Sequence, residues 1–456
     1  MNDFTQDGKN RLLPGTACGP TSVTGPSALT RRTFLRNGVL ALVGAALSPA
    51  LFAGTAVALP PARRVLVVVF MRGAADGLNV VVPFRERAYH RLRRATAIAP
   101  PRMGDADSAV DLDGSFGLHP ALRPLKSLYD RRMLAVVHAT GSPDSTRSHF
   151  DAQDFMESAA PGNKRVSDGW LNRLVAARPP STRGDFRAVT TLPTLPRSLF
   201  GHAPALAIPD VAGFGVRGAG GELEHAFEEM YHGARRDPIR RAGDESFVAT
   251  EMIRQKTGRA PYLPTGGAQY PRSPLGHQLE EVARLIKADL GVEVAATDST
   301  GWDTHVNQGG ARGQMAMRLA DLAQAITAFS QDMGDRMEHV LLLTMSEFGR
   351  RTAENGSGGT DHGHGNCNLV VGGGVQGGRV YGHWPGLEPE QLFQRRDLAV
   401  TTDFRDVFGE IVVRHLGCAS TQSVFPGYLI RPERFPGFLV PTGCRARPSF
   451  AATFEG

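Results

Sequence analysis

Short, uninterrupted apolar runs constrain the fold of this chain more than any other feature of its sequence. The first run, residues 65–70, contains only Val, Leu and Phe and ends in a loop with two glycines. Residues 134–137 and 340–344 follow the same pattern. Apolar runs of this length, with no polar alternation, are typical of strands buried on both faces, as in a parallel sheet. The sequence therefore predicts a sheet that helices cover on each side.

Helical and strand patterns alternate along the rest of the chain. Further strands are predicted over residues 292–296 and 368–371, whereas residues 178–220 are rich in Pro, Gly and Thr and are expected to be irregular. Predicted helices begin near Ser148 and cover residues 221–233, 243–256, 279–290, 315–333 and 404–416. This alternation predicts an α/β fold with a doubly wound, mostly parallel sheet and helices on both faces.

Residues 1–58 have the features of an export signal. Arg31 and Arg32 precede an apolar run of about 20 residues that closes with Ala-Val-Ala at 56–58. This order resembles a twin-arginine signal peptide, so the twin-arginine translocase is the expected partner during export. The expected location is the periplasm or the outside of the cell. The alternative is an uncleaved membrane anchor, although Pro49 and the many small residues make the run a weak membrane span.

The remainder of the chain, residues 59–456, is expected to form a single domain. It contains no internal repeat and no linker that would separate two cores. A single domain of this length is large, which leaves room for a subdomain within residues 180–270. Beyond the signal, the sequence has no further run of 18 apolar residues, so no stable membrane anchor is expected in the mature chain.

The basic charge of the chain does not indicate a nucleic-acid partner. The full sequence has a net charge of +6, but residues 1–58 carry five basic and two acidic side chains, so +3 remains after the signal is removed. No nucleic-acid-binding motif accompanies that charge. The basic run at Arg91, Arg93 and Arg94 is expected to be a solvated face.

Residues that commonly bind metal ions follow the predicted strands at four places. They are Asp76, Asp303, His305, Glu347, His362 and His364. In open parallel sheets, ligands bind outside the carboxyl ends of the strands. Carboxylate and imidazole ligands together suit zinc or manganese, whereas calcium and magnesium prefer oxygen, so one or two divalent ions are expected. Each residue alone has a simpler explanation, such as a turn former, a helix cap or a solvent-exposed loop side chain.

Ser148 is the candidate nucleophile. It precedes a helical pattern in which Phe150, Phe155 and Met156 are expected to form an apolar face. Amide dipoles at a helix start favour an anion or an alkoxide, although serine is also a preferred helix cap. Three arginines adjoin the candidate residues and could clamp an anion or pair with a carboxylate: Arg72, Arg147 and Arg350.

Five segments carry a resemblance to a known family. They are FMRGAADGLN at 70–79, SHFDAQ at 148–153, GWDTH at 301–305, SEFGR at 346–350 and DHGHG at 361–365. In order and spacing they resemble the DUF1501 family, bacterial proteins of unknown function that usually carry a twin-arginine signal. That family is similar to the alkaline phosphatase and sulfatase superfamily. The resemblance implies an alkaline-phosphatase-like fold with a divalent-metal site.

The resemblance also implies a role for individual residues. Asp76, after the first strand, would bind metal, and Ser148 rather than Ser142 or Ser145 would be the nucleophile. Asp303 and His305 would bind a first metal, together with His362 or His364 from the late loop. A second metal would be bound at the position of Glu347 and Phe348. Phenylalanine cannot bind a metal, so position 348 departs from the pattern. Either the site holds one metal, or His149 or the other loop histidine replaces the missing ligand, or the catalytic function is lost.

Two functions follow from these observations. The first is a periplasmic, metal-dependent hydrolase of phosphate or sulfate esters, in which the metal and Ser148 act on an anionic ester substrate. The second is a non-catalytic binding or assembly protein on the same scaffold. Ser148 favours the first function, whereas Phe348 favours the second.

Overall fold

The computed structural model describes residues 63–179, 186–214, 250–257 and 261–440. The predicted signal segment and the helical pattern at 221–233 lie outside the described residues, as does the first half of the pattern at 243–256. By its internal contacts, the chain from Ala62 to Gly456 forms one unit. The domain boundary at residue 59 and the subdomain within 180–270 stay predictions.

Two sheets are present in the described part of the chain. The strands are β1 (Val65–Met71), β2 (Val81–Val82), β3 (Val110–Asp111), β4 (Gly117–Leu118), β5 (Leu134–Gly141), β6 (Ala188–Thr190), β7 (Leu206–Ala207), β8 (Val294–Ser299), β9 (Val340–Met345), β10 (Asn366–Gly372), β11 (Arg379–Tyr381) and β12 (Thr402–Asp403). The large sheet has nine strands in the order β11-β5-β10-β9-β1-β8-β6-β7, with β12 also paired to β5. The small sheet has the order β2-β4-β3. Strands β6 and β7 lie in the segment expected to be irregular.

The large sheet is parallel except for one strand. β1 pairs in parallel with both β8 and β9, so Val68 lies between Ala296 and Leu343 at the centre of the sheet. β10 runs antiparallel to both β9 and β5. The connection from β9 to β10 stays at the carboxyl edge of the sheet, and β10 therefore starts there and runs back. The prediction of a mostly parallel α/β sheet is confirmed.

Side chains of the central strand alternate between two cores. Val65, Val67 and Val69 belong to one buried cluster, whereas Leu66 and Val68 belong to the other. Successive side chains of a strand point to opposite faces, so β1 contributes to both. This is why the run at 65–70 shows no polar alternation: neither face of the strand meets water.

Helices cover both faces of the sheet. The helices are α1 (Gly77–Val80), α2 (Arg87–Leu92), α3 (Lys126–Asp130), α4 (His149–Ser158), α5 (Trp170–Ala177), α6 (Pro274–Lys287), α7 (Gln314–Met333), α8 (Phe404–Glu410) and α9 (Thr421–Val424). Helices α6 and α7 contribute to the first buried cluster, whereas α5 and α8 contribute to the second. The doubly wound arrangement is therefore as predicted. No helix of the described residues combines the length and apolarity that a membrane crossing requires.

Candidate metal centre

Loops at the carboxyl edge of the sheet bring the polar segments together. Residues 72–76 follow β1, residues 302–305 follow β8, and residues 346–350 follow β9. Helix α4 begins at His149 after the loop that leaves β5. The connection between β9 and β10 adds residues 361–364 at the same edge. The topology therefore collects all five sequence motifs at one place, as expected for parallel strands.

Gly73 allows two of these loops to approach each other closely. Its φ is +112°, and a Cβ atom there would lie 2.7 Å from the backbone nitrogen of Asp303. The Gly73 N–H donates to Glu347 Oε1 at 2.8 Å, and its carbonyl accepts from Arg350 at 2.6 Å. Only glycine tolerates both the positive φ and the lack of room for a Cβ atom at this position. This residue therefore allows the neighbouring loops to lie this close together.

Three side chains could hold a metal ion. His149, Asp303 and His362 each offer one ligand atom, and these atoms lie within 4.8 Å of one another. His362 Nε2 lies 3.2 Å from Asp303 Oδ1, and His149 Nε2 lies 3.4 Å from the same oxygen. Two imidazoles and a carboxylate are ligands that zinc and manganese accept.

His305 adjoins the same group. Its Nε2 lies 2.9 Å from His362 Nε2 and 3.1 Å from Asp303 Oδ1. The structure thus brings together three of the six residues expected to bind metal, namely Asp303, His305 and His362. It adds His149, which the sequence offered only as a substitute for the ligand missing at position 348.

Each of the three imidazoles is held through its Nδ1 atom by an oxygen. The pairs are His149 with Glu347 Oε1 at 2.8 Å, His305 with Asp361 Oδ1 at 3.1 Å, and His362 with the carbonyl of Arg147 at 2.8 Å. Carboxylate and carbonyl oxygens only accept hydrogen bonds, so the hydrogen lies on Nδ1. In the neutral form of each ring, the lone pair is therefore on Nε2, which faces the group. Partners of this kind commonly orient histidines that bind metals.

Hydrogen bonds do not satisfy all the ring nitrogens in the centre of the group. His149 Nε2 is buried and has no hydrogen-bond partner among the described residues. His305 Nε2 and His362 Nε2 face each other at 2.9 Å. When both Nδ1 atoms carry the hydrogen, two lone pairs meet there, which is unfavourable unless a cation lies close to both. The residues present therefore fit a divalent metal ion.

The charged groups around the centre favour their ionised forms. Burial alone would raise the pKa of Glu347, but hydrogen bonds from His149 and Gln153 outweigh burial and lower it. Burial would likewise raise the pKa of Asp303, but the hydrogen bond and charge of Arg350 lower it to about 2. Glu347 therefore stays a carboxylate that accepts from His149, and Asp303 stays available as an anionic ligand.

Arg350 has a different position from the one expected of an anion clamp. Its side chain is fully buried, and it donates to Asp303 Oδ1 and to four backbone carbonyls. The carbonyl groups belong to Gly73, Ala74, Trp302 and Thr360. Of the two roles that the sequence left open for Arg350, these contacts match pairing with a carboxylate and not the clamping of a substrate anion: its guanidinium group holds the loops and Asp303 in place.

The guanidinium groups of Arg147 and Arg72 also form hydrogen bonds with carboxylates. The guanidinium group of Arg147 donates to Asp397 Oδ2 at 2.6 Å, and only its backbone carbonyl contacts the centre, at His362. Arg72 donates to Glu157 at 3.0 Å and to Asp298 at 2.7 Å. The expected catalytic role of the Arg147 side chain is therefore not supported by its contacts.

Asp76 forms a buried ion pair and is not among the three side chains that could hold a metal ion. Both of its oxygens accept from the guanidinium group of Arg93, and neither side chain is exposed. Burial alone would lower the pKa of Arg93, but the charge and hydrogen bonds of Asp76 outweigh burial and raise it. The expected metal ligand Asp76 is thus the counter-ion of an arginine. The expectation that Arg93 belongs to a solvated face is wrong.

Glu347 and His364 also differ from the expected ligand set. Glu347 is buried and accepts from His149, Gln153 and the Gly73 N–H, so it orients a ligand rather than facing the group. The ring of His364 stacks on Phe393 with centroids 4.2 Å apart. Of the two histidines in the loop, His362 is therefore the one that reaches the centre.

Ser148 lies at the start of helix α4, as predicted. It is the N-terminal cap residue, and its Oγ accepts a long hydrogen bond of 3.5 Å from the Asp151 N–H. The side chain is half-buried. The hydroxyl is therefore next in sequence to the ligand candidate His149 and only weakly engaged as a cap.

Reasoning from the sequence offered His149 only as a substitute ligand, and it did not assign the roles of Asp361 and Arg93. His149 follows β5 at a helix start, so its position at a strand end was a signal equal to that of Asp303. Asp361 adjoins His362 in the same motif, but its role in orienting His305 depends on how the loop folds back. The pairing of Arg93 with Asp76 had no signal in the sequence, since a run of arginines is usually solvated.

Comparisons with known proteins place the chain beside several solved structures and one family. The C-terminal periplasmic domain of EcEptC from Escherichia coli, in a complex with zinc, is 10% identical, covers 68% of this chain and 73% of that chain, and has a TM-score of 0.32. The PsFucS1 sulfatase from Pseudoalteromonas sp. is 11% identical, with coverages of 79% and 68% and a TM-score of 0.34. The lipoteichoic acid synthase LtaP from Listeria monocytogenes is 9% identical, with coverages of 68% and 65% and a TM-score of 0.28.

These TM-scores are too low to support conclusions about function, and no curated protein matches the sequence. The sequence profile of a family described as "Protein of unknown function (DUF1501)" matches residues 135–424. That match includes β5, helix α4 and the three loops that supply His149, Asp303 and His362. The match spans more than half of the sequence, so this chain belongs to the DUF1501 family.

Proposed function

We propose that this protein is an exported, metal-dependent hydrolase of phosphate or sulfate esters. The observation that carries the proposal is the buried His149 Nε2, which has no hydrogen-bond partner among the described residues and faces Asp303 Oδ1 at 3.4 Å. A polar atom left unpaired in a buried position is unfavourable unless a ligand completes it. A divalent ion held by His149, Asp303 and His362 supplies that ligand, and His305 is placed to contribute.

Each residue of the centre has a separate role in the proposed reaction. A divalent ion supplies a positive charge that activates a hydroxyl group or water and polarises an ester oxygen. Ser148, next to His149 at the start of the ten-residue helix α4, is the proposed nucleophile. The partial positive charge of the helix start favours the ionised hydroxyl and the anionic group of the substrate. Glu347 keeps the His149 ring in the orientation that binds the ion.

A binding or assembly protein on the same scaffold is the second candidate function. Phe348 favours it: the ring stacks on His149 and packs against His362, with both centroid separations at 5.1 Å. In addition, the guanidinium groups of Arg72, Arg147 and Arg350 all pair with carboxylates. A substrate anion would therefore rely on the metal and the helix start rather than on these arginines.

Metal content and hydrolysis, measured together, test the proposal. We expect purified protein to retain zinc or manganese and to hydrolyse p-nitrophenyl phosphate or p-nitrophenyl sulfate. Ser148→Ala should keep the metal but lower kcat by at least ~10³-fold, since loss of a nucleophile removes the chemical step. His149→Ala should lose both metal and activity.

Two variants serve as matched controls. Ser145→Ala changes an exposed serine of the same loop, and His202→Ala changes an exposed histidine; both should behave as wild type. Absence of bound metal, together with activity that Ser148→Ala leaves unchanged, would contradict the hydrolase. Bound metal with no turnover of either ester would favour the binding protein.

A further inference from the structure

The carboxylate of Asp76 is already neutralised without a metal ion. Its two oxygens accept from the two terminal nitrogens of Arg93, and Oδ2 also accepts from Gln308 Nε2 at 2.7 Å. Both Asp76 and Arg93 are fully buried. A guanidinium group cannot be deprotonated in proteins, so its charge stays beside this carboxylate at every working pH.

Every hydrogen-bond donor of the Arg93 guanidinium group has an acceptor at this position. An arginine has five N–H donors. Besides the two bonds to Asp76, Arg93 donates to Asn79 Oδ1 and to the carbonyls of Thr352 and Arg351. Five acceptors thus match five donors in a site without water access. A divalent cation at Asp76 would have to displace a fully paired buried cation, which is unfavourable.

The position that the resemblance assigns to a second metal, at Glu347 and Phe348, is also occupied. Glu347 Oε1 accepts from His149, Gln153 and the Gly73 N–H, and Oε2 lies 3.1 Å from Ser346 Oγ. The next residue, Phe348, is buried and packs against Ala74 and Ala152. An aromatic ring offers no ligand atom, and it excludes water and ions from the volume it fills.

We infer that this protein binds a single divalent ion at His149, Asp303 and His362, and that the guanidinium group of Arg93 provides the positive charge that a second ion would bring to Asp76. The inference rests on the proposed metal centre and specifies its stoichiometry. It makes Asp76 and Arg93 one structural unit, in which neither residue contacts the ion.

Equilibrium dialysis against Zn²⁺ or Mn²⁺, followed by elemental analysis, tests the stoichiometry. We expect one ion per chain for the wild-type protein, at saturation. Asp303→Asn should lower the metal affinity by more than about 100-fold, the upper end of what loss of an orienting residue alone produces. The double variant Asp76→Asn with Arg93→Gln removes both charges of the buried pair together, so no unpaired charge remains. It should still bind one ion with an affinity within roughly threefold of wild type, since neither side chain forms a hydrogen bond with His149, Asp303 or His362.

The possible results separate this inference from the proposed function. Two ions per wild-type chain, with one lost in the double variant, would overturn the single-ion inference and leave the metal centre intact. Loss of the one bound ion in a folded double variant would show that Asp76 is a ligand, which also overturns the inference. Absence of any bound ion in the wild-type protein would overturn the metal centre itself.

Discussion

Five histidines of the described residues form two groups that differ in which ring nitrogen carries the hydrogen: His149, His305 and His362 in one, and His119 and His138 in the other. At the carboxyl edge, Nδ1 donates to an oxygen and Nε2 is left for a ligand. In the core the arrangement is reversed: His138 Nδ1 accepts from the Ala139 N–H at 2.9 Å, and its Nε2 donates to the carbonyl of Val81 at 3.0 Å. His119 is bound in the same reversed way, by Ala121 and Gly310. The same side chain is thus a structural cross-link in one place and a ligand candidate in the other.

His138 should make the stability of the protein depend on pH. Burial lowers its pKa to about 4, below the ordinary value of 6.5. The unfolded chain therefore binds the extra proton first, so the free energy of unfolding falls as the pH decreases from 6.5 towards 4, by about 3 kcal/mol from this group. Above pH 6.5 the group has no such effect. Denaturant unfolding between pH 7.5 and 4.5 measures this loss.

His138→Gln is the variant that isolates the effect. Glutamine keeps a donor for the carbonyl of Val81 but does not titrate, so the decrease in stability on acidification should be shallower by up to about 1.4 kcal/mol per pH unit. The decrease should not disappear, because burial also lowers the pKa of His119 to about 4. His202→Gln, at an exposed position, should leave the slope unchanged. An unchanged slope in His138→Gln would contradict the prediction.

Helix α4 illustrates how one element combines packing with the site. Its first residue is the ligand candidate His149, and near its end Glu157 pairs with Arg72 at 3.0 Å. Its apolar face, however, differs from the expected one. Phe155 and Met156 are buried, whereas the side chain of Phe150 is 90% exposed. At 3.6 residues per turn, Phe150 lies about 140° around the helix from Phe155, so the two rings cannot share a face.

Alanine substitutions in α4 should therefore have very different effects. Phe155→Ala removes a buried ring and should lower the free energy of unfolding by roughly 3–5 kcal/mol, because it leaves a cavity. Phe150→Ala changes an exposed ring and should stay within about 0.5 kcal/mol of wild type. Urea unfolding of both variants provides the comparison. A loss above about 2 kcal/mol in Phe150→Ala, outside the range usual for surface positions, would show that this ring is packed.

At the scale of the whole molecule, the common direction of the strands explains why motifs that are far apart in the sequence form one centre. Every strand of the large sheet except β10 runs in the same direction, so the loops after β1, β5, β8 and β9 all emerge at one edge. The reversed strand β10 keeps the connection from β9 at that edge. The amino-terminal segment has a separate expected role, in export, which lies outside the described residues.

Export by the twin-arginine route gives a test at this level. Arg31→Lys combined with Arg32→Lys keeps the positive charge but removes the arginine pair, which the resemblance to a twin-arginine signal requires. We expect the precursor to accumulate in the cytoplasm, as measured by cell fractionation. As a control, Arg36→Lys changes a neighbouring arginine outside the pair and should leave processing normal. Normal processing of the double variant would contradict the signal.

The local pattern of the sequence was sufficient to predict the sheet and the edge at which the centre lies. Apolar runs specify buried strands because neither face tolerates a polar side chain. Strand direction then places Asp303, His305 and His362 at one edge. Which polar side chain meets which depended on the tertiary structure, because loop conformations and close approaches such as the one at Gly73 set those distances. For that reason Asp76 and Arg350, both in motifs that follow strands at this edge, became buried charges within the protein, whereas His149 became a ligand candidate.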